Sequence, residues 1–474
     1  MQMNRLLAPI LALALLPACL HAADKKTPAA QNALPPSMSL DDCIRLALMQ
    51  NPQILKAKQQ IEQTKGVIIE VRAQAIPQVG MSSFYNQQSN DLIESNGQQN
   101  TQDKSWNVTF QATQLIYSGG QVGAAIKIAK LTNDSNLYSL RDTVDQIIST
   151  VRKQFYDVLL DKALIGVQEE SVHLLESQLK DQKNRFEAGT VPRFNVLQAE
   201  VALSNQIPLL IKARNDYTIA QLAIAKTLGV PYNTWHPGKS LIEASGELTF
   251  HEQKIDQNNA VSIAKERRSF LKIQRQNILI QLQQIKVALA GYQPQITAKG
   301  GWEIRNSYLT NELDTTVNGW FVGVQGNWNI FDGLATYGKV KQARAQLESA
   351  KITYDDSVLQ VELEVQQAIA NLDQARETIE SQTKNVEEAL EALRLSQERL
   401  SAGAGTQLDV LNAQVSLAQA RTNKLQALHD YNVALAELDR VTGIDTKYTD
   451  TFKDPLAGKN TAPKPKPSAT PAKN

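Results

Sequence analysis

The stretch WFVGVQGNWNIFDGL, residues 320–334, places Trp320, Val322, Val324, Trp328 and Ile330 on one parity and Gln325, Asn327 and Asn329 on the other. Successive side chains of a strand point to opposite faces, so the pattern predicts a strand with one apolar and one wet side. In a soluble sandwich the apolar side needs a second sheet. In a lipid bilayer it needs a closed barrel.

Three further segments alternate in the same way. Val79 and Met81 share a face with Tyr85 in PQVGMSSFYNQ, and Trp106, Val108, Phe110, Ala112 and Ile116 share one in SWNVTFQATQLIY. In PQITAKGGWEIR the apolar face is Ile296, Ala298, Trp302 and Ile304, opposite Thr297, Lys299, Glu303 and Arg305. Charges opposite a tryptophan-bearing face suit a water-filled lumen. The predicted strands, about 77–90, 104–117, 294–308 and 319–331, are close to the length a tilted strand needs to cross hydrocarbon. Tyr85, Trp106, Trp302, Trp320 and Trp328 are candidates for a membrane-interface girdle. Polar links at 86–104 and 306–318 read as exposed loops. A small soluble sheet packed on helices is the competing reading, and it lacks an amphipathic segment to cover the sheet. Four strands cannot close a membrane barrel, for which about eight is the practical minimum. Several chains must share one barrel: two would supply eight strands and three would supply twelve.

The rest of the chain is helical and duplicated. RFEAGTVPRFNVLQAEVAL at 185 aligns without gaps on RLSAGAGTQLDVLNAQVSL at 399, an offset of 214 that also lays Trp106 and Ile116 over Trp320 and Ile330. Leu137, Val144, Val151, Val158, Ile165, Val172, Leu179 and Phe186 recur every seven residues, as do Val358, Val365, Leu372, Ile379, Val386, Leu393 and Leu400. A seam at that spacing supercoils a helix of 3.6 residues per turn, so these are coiled coils. A helix from Gly119 to Ala188 would be on the order of 100 Å long. Short glycine-containing turns send the next helix back, with Val196, Leu203, Leu210, Tyr217 and Ile224, or Val410, Leu417, Tyr431 and Leu438, on its seam; Lys424 interrupts the second series. Ser118 and Asp332 are predicted N-caps. Single lead-in helices are predicted over about Leu40–Ala75 and Asn258–Gly291.

Residues 1–23 carry Arg5, an apolar run from Leu6 to Leu16 and a small-residue exit, the pattern of an export signal. Two maturation routes fit: lipidation at Cys19, or cleavage after Ala22 or Ala23. Either leaves Cys43 without a partner for an internal disulfide, and its company of Ile44, Leu46 and Ala47 reads as packing. The resulting organisation is a signal peptide (1–23), a linker (24–37), a first repeat (38–230, hairpin about 119–228), an equatorial linker (231–255), a second repeat (256–452, hairpin about 333–442) and a Pro/Lys-rich tail (453–474) expected to be disordered. Lys plus Arg total 49 against 48 Asp plus Glu, so charge gives no sign of nucleic acid.

The export signal, the two units of strand pair plus hairpin, and the tips FEAGTVPRFNVLQA and LSAGAGTQLDVLNA together resemble the TolC-like outer-membrane efflux protein family. The resemblance implies a mixed α and β membrane protein: a homotrimer whose twelve-stranded barrel sits in outer-membrane lipid of a Gram-negative bacterium and continues into a helical tunnel through the periplasm. It implies an exit duct joined by a periplasmic adaptor (membrane fusion) protein to an inner-membrane pump of the RND, ABC or MFS type. It also implies that the hairpin tips, here Gly189, Asn195 and Gly403, meet the adaptor, and that the periplasmic mouth is narrowed at Gly405, Asp409 and Asn412. Asn195 and Asn412 are neutral where many members carry Asp, and Gly405 offers no basic partner, which leaves Asp409 as the main charge there. Thr406 three residues earlier supports a second reading of Asp409 as a helix cap.

The five histidines, at 21, 173, 236, 251 and 429, show no metal-ligand spacing. No phosphate-binding loop, nucleophile elbow or paired-cysteine motif is present, so neither an enzyme nor a cofactor is expected. Trp235 and His236 read as packing. A coiled-coil scaffold or adhesin anchored in the envelope is the alternative to a duct. The polar, small inner strand faces favour the duct, and nothing in the chain separates drug efflux from protein secretion.

Overall fold

The first helix, α1 (Leu40–Gln50), starts at a capping box: the Ser39 hydroxyl accepts the Asp42 N–H at 3.3 Å and the Asp42 carboxylate accepts the Ser39 N–H at 3.3 Å. The computed structural model describes residues 37–89, 103–231, 242–253, 255–308 and 312–443. The export signal with Cys19, the pair Trp235 and His236, and the tail from 453 lie outside the described residues.

The expected single helix over Leu40–Ala75 is two, because α2 (Pro52–Ala73) begins at a proline that removes an N–H and disfavours helical backbone at Asn51. Buried Asn51 stitches the break. Its Oδ1 accepts the N–H groups of Gln53 (2.8 Å) and Ile54 (3.3 Å), and its Nδ2 donates to the Thr227 carbonyl at 2.7 Å. The expected helix over Asn258–Gly291 is likewise split into α5 (Gln257–Arg267) and α6 (Ser269–Leu289), followed by one 3-10 turn. The break falls at Arg268, whose buried guanidinium bonds the Glu364 carboxylate at 2.9 Å and the Val441 carbonyl at 3.4 Å.

Two hairpins dominate. α3 (Gln121–Glu187) and α7 (Ala335–Ser401) each have 67 residues, which at about 1.5 Å per residue is roughly 100 Å. α4 (Arg193–Leu228) and α8 (Gln407–Thr442) have 36 each, and each pair of counterparts is offset by 214 (335 − 121 and 407 − 193). α4 passes through Pro208, which cannot donate to the carbonyl four residues back. Ser118 and Asp332 are not the N-caps. The caps are Gly120 (φ 83°) and Leu334 (φ 70°), two residues further on and each the second of two left-handed residues. Asp332 still does a cap's work from two residues upstream, accepting the Thr336 N–H at 2.7 Å.

Between α7 and α8 the seam buries Val365, Leu372 and Ile379 against Tyr431 and Leu438. A second series spaced by seven interleaves with it: Val361, Ala368 and Ala375 on α7, and Ala420, Ala427, Ala434 and Val441 on α8, all buried. Large and small positions thus alternate along one stripe, which lets the helices approach closely. Tyr431 is 2 % exposed, edge-on to Phe250 at 4.8 Å, and its hydroxyl donates to the His251 carbonyl at 2.6 Å.

β1 (Ser37–Met38) and β4 (Glu243–Ala244) form a short parallel pair. β2 (Gln78–Gln87), β3 (Lys104–Tyr117), β5 (Gln295–Asn306) and β6 (Thr316–Asn327) form one antiparallel sheet in the order β2-β3-β5-β6.

Candidate functional site

The strand register decides which side chains share a face. Met81 pairs with Phe110, Phe110 with Trp302 and Trp302 with Trp320, so one rung across all four strands is apolar. Adjacent rungs on this face align Tyr85 with Trp106, Val108 with Ile304, and Val79 with Ala112, Gly300 and Val322. The face is bare: Trp320, Val322 and Val324 are 75, 76 and 71 % exposed. A patch of this size on a water-exposed sheet would drive aggregation, whereas hydrocarbon solvates it.

Trp328 departs from the expected strand. β6 ends at Asn327, so Trp328, Ile330 and Phe331 lie beyond the sheet, and the Trp328 indole donates to the Tyr292 carbonyl at 3.1 Å. Trp106 is half-buried, with its indole donating to the Leu313 carbonyl at 3.0 Å.

The opposite face carries Gln78, Thr109, Gln111, Thr113 and Gln325, the glycines Gly80, Gly301, Gly319 and Gly323, and charges on β5 alone: Lys299, Glu303 and Arg305. The Arg305 guanidinium stacks 3.8 Å from the Tyr308 ring. Parity reading did not isolate Phe84, Val317 and Phe321, which share this polar face. It also missed Asn306, which is 1 % exposed, accepts the Trp106 N–H at 2.8 Å and donates to the Lys104 carbonyl at 3.1 Å, closing the loop end of β3 onto β5.

At the far end of the hairpins both long helices end in the same motif. Gly189 (φ 74°) donates to the Phe186 carbonyl and Thr190 to that of Arg185, both at 2.9 Å; Gly403 (φ 70°) donates to Leu400 at 3.1 Å and Ala404 to Arg399 at 2.8 Å. Glycine is required at these two positions because only it adopts the left-handed conformation without a Cβ penalty. The following helices start differently. α4 begins at Pro192 with no side-chain cap, and Asn195, in its first turn, donates its N–H to the Pro192 carbonyl at 3.0 Å. α8 begins at a full capping box, in which the Asp409 carboxylate accepts the Thr406 N–H at 2.9 Å and the Thr406 hydroxyl accepts the Asp409 N–H at 3.3 Å.

The bonds from Thr406 hold the exposed Asp409 carboxyl below its ordinary pKa, with Arg399 on α7 adding a smaller pull. The cap role is therefore realised, and Arg399, whose guanidinium donates to the Ala404 carbonyl at 3.4 Å, acts on Asp409 only through its charge. Gly405 packs tightly, since a Cβ there would meet Arg399 Cβ and Leu400 N at 3.1 Å. Asn412 is exposed one turn into α8. The chain thus brings Gly403, Gly405, Asp409 and Asn412 together at one tip and Gly189 and Asn195 at the other. No described helix is long and apolar enough to cross a membrane.

Comparison with known proteins adds an independent line. The protein Outer membrane efflux protein BepC of Brucella suis biovar 1 is 26 % identical over 346 residues, 71 % of this chain and 72 % of that one. Outer membrane protein TolC of Escherichia coli K12 is 22 % identical over 430 residues, 88 % of this chain and 84 % of that one. The crystal structure of the Campylobacter jejuni CmeC outer membrane channel superposes with a TM-score of 0.72 at 15 % identity, covering 85 % of each chain. The family model described as Outer membrane efflux protein matches twice, over residues 43–230 and 260–444. The chain belongs to the outer membrane efflux protein family.

Proposed function

We propose that three copies of this chain close a twelve-stranded barrel in outer-membrane lipid, and that their hairpins join into one tunnel below it. As a family member the protein is an outer-membrane exit duct of the Gram-negative envelope, reaching into the periplasm; the family forms channels and is not an enzyme family. It passes substrate passively, because energy comes from the inner-membrane pump at the other end of the tripartite export system.

The observation that carries a barrel shared between copies is the sheet itself, and the family resemblance supports three as the number of copies. Four strands leave β2 and β6 with an unpaired edge in the chain, and lipid tolerates no such edge. Pairing β2 of one copy with β6 of the next closes the ring, and three copies of four strands make twelve. The double family match and the 214-residue offset between counterpart helices support reading the chain as two repeats of one unit. The outward rung of Trp302 and Trp320 then meets lipid, while Lys299, Glu303 and Arg305 line water.

The glycine-ended tips, Gly189 with Asn195 and Gly403, are our candidates for the adaptor's contact, and Gly405, Asp409 and Asn412 for the narrow mouth. Three Asp409 carboxylates, ionised because their pKa is lowered, would crowd that mouth and favour cations. Single-channel recording in planar bilayers tests both levels. Discrete conductance steps are expected from the purified protein, and Asp409→Asn should lower its cation preference. A protein that inserts without conducting would be a scaffold, and unchanged selectivity in the variant would leave Asp409 as a cap alone.

A further inference from the structure

The two hairpins meet along α3 and α8, and that seam is zipped by polar pairs in antiparallel register. Near the tip, the Gln182 amide donates to the Gln407 side chain at 3.2 Å and the Arg421 guanidinium to Glu170 at 2.5 Å. Near the other end, Arg152 donates to Asp439 at 2.7 Å and Ser149 to Glu437 at 3.3 Å. Between these lies His429, whose side chain is 9 % exposed. Its Nε2 is 2.7 Å from Asp157 Oδ1 on α3, and its Nδ1 is 2.9 Å from Asp430 Oδ1 on α8.

We propose that the α3–α8 seam is a latch holding the two hairpins together, and that the proton on His429 sets its strength. The proposal rests on the duct reading above, since the latch restrains the movement of packed helices that opens the tunnel.

The geometry carries the argument. An ionised carboxylate only accepts, so both contacts are hydrogen bonds only when both ring nitrogens carry protons. In that state the imidazolium joins α8 to α3 through Asp157 with a charge-assisted bond in a partly dry seam. Removing the Nδ1 proton leaves the Nε2–H bond to Asp157 without its charge, and turns a lone pair toward Asp430 with the Gln426 amide at 3.3 Å as the remaining donor.

The surroundings amplify this. Asp161 on α3 feels Asp157, His429 and, from α4, Asp216 and Lys212, with Lys212 bonded to Asp216 at 2.8 Å. On α7 the residues along the groove beside Asp430 are the neutral Asn371, Gln374 and Thr378. A neutral His429 therefore leaves the four carboxylates Asp157, Asp161, Asp216 and Asp430 with Lys212, bonded to Asp216, and with Lys153 and Arg440, which share a groove with Asp157, as the cations beside them. Burial opposes the imidazolium, but Asp157 and Asp430 outweigh it and hold the His429 pKa above its ordinary value. Burial, then Asp216 and Asp157, push the Asp161 carboxyl up to about 6. Both shifts act in one direction. The latch is strongest below the ordinary histidine pKa and loses its charge-assisted part as pH rises through the raised one, while ionisation of Asp161 above about pH 6 adds repulsion.

The test is single-channel recording of the full-length protein in planar bilayers from about pH 5.5 to 9, spanning the ordinary histidine and shifted values. Wild-type open-state occupancy should rise with pH, by about tenfold for each unit that the imidazole pKa differs between latched and released seams. His429→Gln should lose the rise through the histidine range and keep only the smaller rise near pH 6 that ionisation of Asp161 brings. Asp157→Asn, which keeps the shape of the site, should move the rise to lower pH and serves if the glutamine variant fails to assemble. His173→Gln, at an exposed histidine of α3 away from the seam pairs, should keep the wild-type rise. A full wild-type rise retained in His429→Gln, or one lost in His173→Gln, overturns the latch while leaving the duct intact; absence of any conductance in the wild type overturns the duct and the latch with it.

Discussion

Gly301 sits on β5 with β3 on one side and β6 on the other, and replacing it with alanine isolates the strand packing on which a barrel depends. A Cβ there would lie 2.2 Å from the Phe110 carbonyl oxygen and 2.9 Å from Gln111 Cα, backbone atoms that cannot swing aside. Real Cβ atoms keep beyond 3.0 Å, so β3 and β5 must part by about 0.8 Å (3.0 − 2.2). Bonds of about 2.9 Å stretched by that amount pass the useful limit, and the two ladder bonds around this pair are weakened or lost. At about 1 kcal/mol net each, the cost is about 2 kcal/mol per chain and about 6 kcal/mol for the proposed trimer, and it grows where no water can replace a broken bond. Gly300 is the control, since a Cβ there meets Val322 Cγ2 at an ordinary 3.4 Å. The assay is the fraction migrating as an unheated trimer in detergent gels as temperature rises. Gly301→Ala should dissociate at markedly lower temperature and Gly300→Ala should match the wild type. Equal behaviour of the two variants would refute the reasoning.

Tyr431→Phe removes the donor to the His251 carbonyl and should cost about 1–2 kcal/mol, whereas Tyr431→Ala also empties the seam and should cost about 3–5 kcal/mol, both read from thermal loss of helical signal. Asn51→Ala removes a cap bonded to Gln53 and Ile54 and a buried donor to Thr227, and should destabilise by about 2–3 kcal/mol in the same measurement. Burial, with Asp42 adding to it, pushes the Cys43 thiol up to about 12. Its thiolate fraction at pH 8 is then about one in ten thousand, so thiol reagents should label Cys43 only after denaturation, checked by peptide mapping.

Much of the fold was legible because its two periodicities are undiluted. Alternation over 78–87 and 295–306 placed Met81 and Trp302 on the face where the strand register puts them. Spacing by seven found Val365, Leu372 and Ile379, which are buried. It did not find Ala368, Ala375, Ala427 and Ala434, because alanine is as common on a helix surface as in a tight seam. The break at Asn51 was written in Pro52, but the break at Arg268 has no local signal; its anchors, Glu364 and Val441, are long-range. The caps slipped by two residues because a left-handed Leu334 is not a conformation that its residue type advertises. At the tips, Thr406 and Asp409 could be read as a box from spacing. The cross-tip influence of Arg399 and the pairing of His429 with Asp157 arise only when helices distant in sequence lie side by side.

The closure of the barrel is tested most directly by cysteine cross-linking between its edges. Ser83 lies on β2, and Asn318, Val322 and Val324 are on β6. Within one chain these strands are three spacings apart, roughly 14 Å, well beyond the roughly 4.4–6.8 Å between Cα atoms that a disulfide allows. In a Cys43→Ala background, Ser83→Cys should be combined in turn with cysteine at each of the three β6 positions, in membranes under mild oxidation. At least one combination should yield a covalent species that saturates at three chains and reverts to one on reduction. Chains that remain single in every combination, or a ladder that stops at two, would contradict a trimeric barrel.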